Sequence, residues 1–216
     1  MRINTDGVLI AAMVNHEKPK NILDIGTGTG VIALMLAQRF PEANIHAVEI
    51  DEQAAQTAGK NFQLSVFSER LTINHTSIEQ YHHAQQFDLI VSNPPFFVND
   101  LKSKQENKSI ARHTSEQFFH DLIKKVNELL SATGTFWFVL PVKQAKQLIN
   151  SGTQFGLYLN KQISLHSDKT KPEFRMIVCL SRSKVDLLTT QFYIYQTEKV
   201  YTEAYQNLLK PYFLGY

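Results

Sequence analysis

Apolar residues fall along this 216-residue chain in two rhythms that take turns. Residues 21–25, 44–50, 71–74 and 87–92 are short apolar runs of strand length, and between them 31–39 and 52–67 place apolar residues three and four apart, as one face of a helix does. A helix over 116–130, a strand over 134–140 and a helix over 143–150 continue the alternation. Strands alternating with helices predict βαβ units and a mostly parallel sheet with helices on both faces. The rhythm then changes: strand-like runs 161–166 and 174–180 flank a polar, proline-containing stretch, 167–173, which predicts an antiparallel pair joined by a long loop. The expectation is a seven-stranded α/β fold, doubly wound, with an antiparallel C-terminal strand pair. No linker or repeat divides the chain, and residues 1–216 fit the upper end of single-domain size.

Composition narrows the setting. Cys179 is the one cysteine, inside Met176-Ile177-Val178-Cys179-Leu180, so it reads as a small buried strand residue. A disulfide framework and a cysteine-rich zinc site are excluded, and His82, His83, His113 and His120 are scattered, so no metal is expected. No apolar stretch approaches the ~20 residues of a membrane span. The N-terminus lacks the charged-then-apolar pattern of a secretion signal, and a cytoplasmic protein with no membrane partner is expected. A net charge of +2 makes no global case for a polyanionic partner, so the case rests on where charges cluster. Lys102, Lys104, Lys108 and Arg112 form one basic stretch, and Lys169, Lys171 and Arg175 a second; such runs are most often solvated faces.

Asp24-Ile25-Gly26-Thr27-Gly28-Thr29-Gly30 follows a strand and opens a helix, the context in which a glycine-rich turn cradles a ligand. Ligands of open α/β sheets bind beyond the carboxyl ends of the strands, where this turn lies. Asp24 would repel a pyrophosphate but hold a cationic amino-acid moiety, and the spacing is Gly-x-Gly-x-Gly rather than Gly-x-Gly-x-x-Gly. These features disfavour a nicotinamide-dependent oxidoreductase and favour a methyl donor. Glu49, at the end of the second strand and about 20 residues on, suits ribose hydroxyls, with Ile50 beside it. Asp51 reads more simply as a helix N-cap. After the third strand, Ser77 or the nearby backbone would meet the adenine ring, although a cap explains Thr76 or Ser77 equally well.

The strand ending in Ser92 delivers Asn93-Pro94-Pro95-Phe96 to the same edge. Two prolines fix φ and remove two backbone donors, leaving a rigid turn with free carbonyls. A planar amino group is a poor nucleophile because its lone pair is delocalised. The carbonyls of Asn93 and Pro94 would accept its two N–H bonds and aim the lone pair at a methyl group, with Phe96 stacked on the base. Such a base must be flipped out or single-stranded. In isolation the motif would read as a tight turn and a core aromatic; its position beside a donor site argues otherwise.

These motifs resemble class I, S-adenosylmethionine-dependent adenine-N6 methyltransferases carrying an Asn-Pro-Pro-aromatic motif, and more closely the bacterial tRNA (adenine-N6)-methyltransferases that modify adenosine 37 of valine tRNA. Asn4-Thr5-Asp6-Gly7-Val8-Leu9-Ile10 is similar to that family's Thr-Asp-Gly segment, and Ala111-Arg112-His113 and the stretch from Tyr201 to Tyr216 also look like it. The resemblance implies the Rossmann-like class I fold and a cofactor site containing Thr5, Asp6, Asp24, Gly26, Thr27, Gly28, Gly30, Glu49, Ile50, Ser77 and Asn93. It further implies catalysis by Asn93, Pro94, Pro95 and Phe96, S-adenosyl-L-homocysteine as product, and tRNA crossing the two basic stretches; a monomer is expected. The family usually has an acidic residue where Ser77 stands. It also usually carries some tens of residues before Thr-Asp-Gly, which implies that Met1 is internal to a longer native chain. Guanine-N2 methylation of ribosomal RNA and glutamine methylation in release factors use the same motif and stay open, as does a non-catalytic RNA-associated module.

Overall fold

The computed structural model describes residues 5–95 and 105–212, the side chains of 105–115 excepted. A single large sheet forms its spine, from strands β1 (Asn21–Ile25), β2 (Asn44–Glu49), β3 (Leu71–His75), β4 (Phe87–Ser92), β5 (Leu130–Leu140), β6 (Tyr158–His166), β7 (Glu173–Ser181) and β8 (Leu188–Tyr193). They lie in the order β3-β2-β1-β4-β5-β7-β6-β8. The first five are parallel, and β7 runs antiparallel between β5 and β6. Seven strands thus occupy the expected arrangement, and β8 adds an eighth, parallel to β6, at the far edge. Its residues Leu188 to Gln191 are exposed, so no alternation of buried and solvated positions marks it in the sequence.

Helices cover both faces: α1 (Thr5–Met13), α2 (Val31–Arg39), α3 (Glu52–Leu64) and α6 (Glu203–Leu209) on one, α4 (Gln105–Leu129) and α5 (Val142–Gln154) on the other. Strand alternation sorts the core between them. On β5, Trp137 and Val139 face the α1/α2 side while Phe136, Phe138 and Leu140 face α4 and α5. On β7, Ile177 and Cys179 go one way and Met176, Val178 and Leu180 the other. Cys179 is therefore the buried strand residue expected, and burial pushes its thiol up to about 12.

Besides the seven-residue α6, two helices escape a reading by period. From Asp6 to Ala12, α1 is buried throughout, packed between α2, α6 and β5, and a helix apolar all round has no polar stripe to reveal it. The other is the N-terminal part of α4, which begins at Gln105 rather than near residue 116. A short hairpin, β9 (Tyr195–Thr197) and β10 (Val200–Tyr201), precedes α6. Among the described residues, no helix is long and apolar enough to cross a membrane.

Candidate active site

The turn after β1 is shaped by backbone conformations that side chains with a Cβ resist. Gly26, Gly28 and Gly30 have φ of 71°, 59° and 90°. A Cβ on Gly30 would stand 2.5 Å from the ring of Phe62, whereas one on Gly26 would meet nothing within 4 Å. Gly30 thus lets α2 pack against α3, and Gly26 leaves open space. The turn is pinned by the amides of Gly26 and Thr27, which donate to the Val48 carbonyl (2.9 and 3.1 Å), and by Asn61 Nδ2, which donates to the Thr29 carbonyl (2.8 Å).

Two carboxylates hold this turn from opposite sides. Glu49, ending β2, accepts from the Gly28 amide through Oε2 (2.8 Å) and from the Asp51 amide through Oε1 (2.9 Å). Asp51 in turn caps α3, accepting from the Ala54 amide at 2.8 Å, as expected of an N-cap. Asp24 is fully buried beneath the turn, where its Oδ2 accepts from the Thr27 hydroxyl (2.5 Å) and its Oδ1 makes no hydrogen bond of ordinary geometry. Burial raises its carboxyl to about 7, against the pull of the Thr27 hydroxyl and the Ala33 amide.

Parallel pairing brings the end of β4 beside the end of β1, with Ser92 opposite Ile25 and its hydroxyl donating to the Ile25 carbonyl at 2.9 Å. Asn93 emerges next to the glycine turn as a result. The two meet in a cavity of about 510 Å³, a volume suited to a small-molecule ligand. Asn93 Oδ1 is buried there and has no hydrogen-bond partner. That is an acceptor held dry and unsatisfied, which costs stability unless a ligand donor completes it.

Of the expected residues, Gly26, Thr27, Gly28, Glu49, Ile50, Ser77, Asn93, Pro94 and Pro95 line this cavity together. Asp24 and Gly30 do not reach its wall; they support it from beneath and behind. Ser77 is the N-cap of a one-turn helix (Ile78–Gln80), without a side-chain capping bond. Thr5 and Asp6 also lie off the wall. Asp6 pairs with Arg175, whose Nε donates to Oδ2 at 2.8 Å across 169 residues of sequence. Two residues expected in separate cofactor and tRNA sites therefore tie α1 to β7. The segment's contribution to the cavity comes instead from Gly7, where a Cβ would lie 3.7 Å from Asn93 Nδ2.

Glu79 and Phe118 also line the cavity and were not anticipated. Glu79 is an acidic side chain two residues past Ser77. Phe118 belongs to a pair whose neighbour Phe119 is fully buried, and an aromatic doublet on a helix carries no signal of which ring faces the site. Lys169 and Lys171 are exposed in the β6–β7 loop, on the same carboxyl edge of the sheet. Phe96, Lys102 and Lys104 lie outside the described residues; Lys108 and Arg112 fall on α4 with side chains outside them.

Residues 4–162 match the methyltransferase small domain family. A tRNA1(Val) (adenine(37)-N6)-methyltransferase of Pedobacter heparinus is 52% identical over 216 residues, covering 100% of this chain and 92% of that protein. A relative of the same name from Vibrio campbellii is 36% identical, covering 99% and 89%. Among solved structures, a predicted O-methyltransferase from Agrobacterium tumefaciens aligns with a TM-score of 0.75 at 18% identity, over 95% of this chain and 96% of that one. The glycopeptide N-methyltransferase MtfA complexed with S-adenosylmethionine aligns at 0.61 and 13% identity, over 82% and 95%. At such identities these structures speak to the fold alone, and it is the class I methyltransferase fold.

Proposed function

The chain belongs to the methyltransferase small domain family and, within it, to the tRNA1(Val) (adenine(37)-N6)-methyltransferases, and from that premise we propose that it transfers a methyl group from S-adenosylmethionine to N6 of adenosine 37 in valine tRNA. The observation that carries the reading is the buried, unsatisfied Oδ1 of Asn93, a residue that lines the cavity shared with the glycine turn.

The described residues fit the methyl donor: Gly26 leaves open space, and the buried Asp24 lies beneath Thr27, a residue of the cavity wall, from where its carboxylate acts on a cation by charge. When bound, S-adenosylmethionine supplies an electrophilic methyl group on a sulfonium centre. Glu49, already oriented by two backbone amides, retains lone pairs for ribose hydroxyls. Ile78 and Ser77 provide one wall for the adenine ring, with Glu79 as the acidic group at hand for its amino edge.

On the substrate side, Asn93 Oδ1 and the Pro94 carbonyl accept the two hydrogens of the target amino group. This draws its lone pair out of conjugation and fixes it toward the donor. Phe118, on the cavity wall, and Phe96 supply flat surfaces for a base turned out of its stack. The tRNA crosses the carboxyl edge of the sheet, where Lys169 and Lys171 meet phosphates, and the basic stretch 102–112 supplies further cations for the same partner. The same reading puts the protein in the cytoplasm, where its substrate is, working as a monomer.

The test is transfer of a radiolabelled methyl group to total tRNA, ribosomal RNA and release factor, followed by nucleoside analysis. N6-methyladenosine in valine tRNA is the expected product. Label appearing only in ribosomal RNA or in a release factor overturns the assignment.

A further inference from the structure

A second cavity, of about 600 Å³, lies between the β6–β7 loop and the β9–β10 hairpin and is lined by Ser167, Asp168, Lys171, Tyr195, Lys199 and Tyr201, among others. Strand pairing locates it. His166, Glu173 and Tyr193 are register partners at one end of β6, β7 and β8, so the loop and the hairpin both emerge on the carboxyl edge, the edge that carries Asn93. At about 4.8 Å per strand, the three or four steps from β4 to β6 and β8 span roughly 15–20 Å. The groove is therefore on the substrate side but well outside the methyl-transfer cavity.

Its walls carry the chemistry of single-stranded nucleic-acid binding. Tyr195 stacks on Tyr201 (5.0 Å between ring centres, 19° between planes), and Tyr201 stacks on the buried Tyr205 (4.6 Å, 11°). The stack is anchored by Thr202, which donates to the Tyr193 carbonyl (2.7 Å) and accepts from the Tyr205 amide (3.1 Å). Lys171 and Lys199 line the groove, and Lys169 lies two positions from Lys171. Asp168 and Glu198 balance part of that charge; Asp168 is drawn into the loop, where its Oδ1 accepts from the Thr170 amide (2.8 Å) and hydroxyl (2.5 Å). A groove so balanced favours stacking with a few phosphate contacts over undirected attraction to polyanions.

Lys199 is itself unusual. It sits at the hairpin tip with φ of 63°, the single non-glycine residue with positive φ among those described. A left-handed φ is less favourable for lysine than for glycine, and strain held at such a point is a sign of use.

We propose that this groove is a second nucleotide-binding site, which takes an unpaired nucleotide of the tRNA other than the target adenosine, its base against Tyr195, the end of the three-ring stack, and its phosphate against Lys171 and Lys199. The inference rests on the tRNA reading above. It assigns the far edge of the sheet to substrate selection: a free nucleoside or short oligonucleotide reaching only the Asn93 cavity lacks this contact.

The experiment compares wild type with Lys171→Ala/Lys199→Gly, Tyr195→Leu and Tyr195→Phe, using transcribed valine tRNA and purified full-length chain. The double lysine variant is expected to raise KM for tRNA about tenfold with kcat changed less than twofold, and to lower the salt slope of binding by about 0.7 per lysine. S-adenosylmethionine affinity by calorimetry is expected to hold. Because Lys199→Gly relieves backbone strain, its thermal midpoint should equal or exceed that of wild type, which separates lost binding from lost folding. Tyr195→Leu should weaken tRNA binding about fivefold or more, and Tyr195→Phe should restore it. Wild-type KM and salt slope in the double variant overturn the groove while leaving the methyltransferase reading intact. A wild-type protein that neither binds nor methylates tRNA overturns both.

Discussion

Beyond β1, β2 and β4 the chain builds its edge from three left-handed glycines, one carboxylate aimed at backbone amides, a second at a threonine hydroxyl, and a proline-stiffened turn, all within about five residues of a strand end. Beyond β6 and β8 the same edge is made of a polar loop and a two-residue-turn hairpin, shaped by contacts between segments some 30 residues apart. The first region is buried and fixed by short-range geometry; the second carries exposed lysines and stacked rings. On the proposed readings, one edge divides cofactor and substrate by how deeply each is enclosed.

Breaking the first region should have the larger consequences. Asn93→Ala should lower kcat for tRNA methylation by about 10²–10³, the size expected for losing a preorganised polar contact made to the reacting group, with the folding midpoint little changed. Retention of full methylation by that variant would sink the mechanism.

Gly30→Ala and Gly26→Ala sharpen the division within the turn. At Gly30 a Cβ meets both an unfavourable φ and the Phe62 ring, so denaturant unfolding should show a loss of about 2–5 kcal/mol. At Gly26 only the φ is unfavourable, for about 1 kcal/mol. Its main effect should be a lower calorimetric affinity for S-adenosylmethionine. Equal stability losses at both positions would contradict the packing described.

Glu49→Gln keeps the shape but removes the charge that two amides share and that the proposed reading offers to the ribose. Cofactor affinity should fall about tenfold, with KM for tRNA unmoved.

The smallest expected effect is a dependence on pH. The Asp24 carboxyl is raised from 3.8 to about 7, so the folded protein holds a proton that the unfolded chain has already lost. Stability contributed by that protonated form is full below about pH 4 and is lost as pH rises to about 7. A cationic ligand favours the ionised form, so cofactor affinity should rise between pH 6 and 7 with proton release, seen as buffer-dependent calorimetric heat. In Asp24→Asn that release should vanish. Buffer-independent heats in wild type would remove Asp24 from the electrostatics of binding.

Much of the first region was legible because its constraints are local. Asp24 through Gly30, Glu49 and Asn93 through Pro95 each sit at the end of an apolar strand, and strand alternation alone brings those ends to one edge. Asp51 followed the same logic as a cap. Other assignments could not be read this way. Asp6 and Arg175 were expected at different sites and bind each other, since a contact across 169 residues leaves no trace in spacing. Phe118 and Glu79 reach the cavity through helix orientation, which composition does not record.

Periodicity and short motifs were enough for the α/β class, for a mostly parallel sheet ending in an antiparallel pair, and for setting the glycine and Asn-Pro-Pro turns at strand ends, because each depends on neighbours within one strand–turn–helix unit. Tertiary structure alone decided that α1 closes over Asn93, that Arg175 latches it to β7, and that Tyr195 and Tyr201 meet the β6–β7 loop in a groove. Those outcomes depend on which distant surfaces bury one another, and burial is a property of the assembled chain.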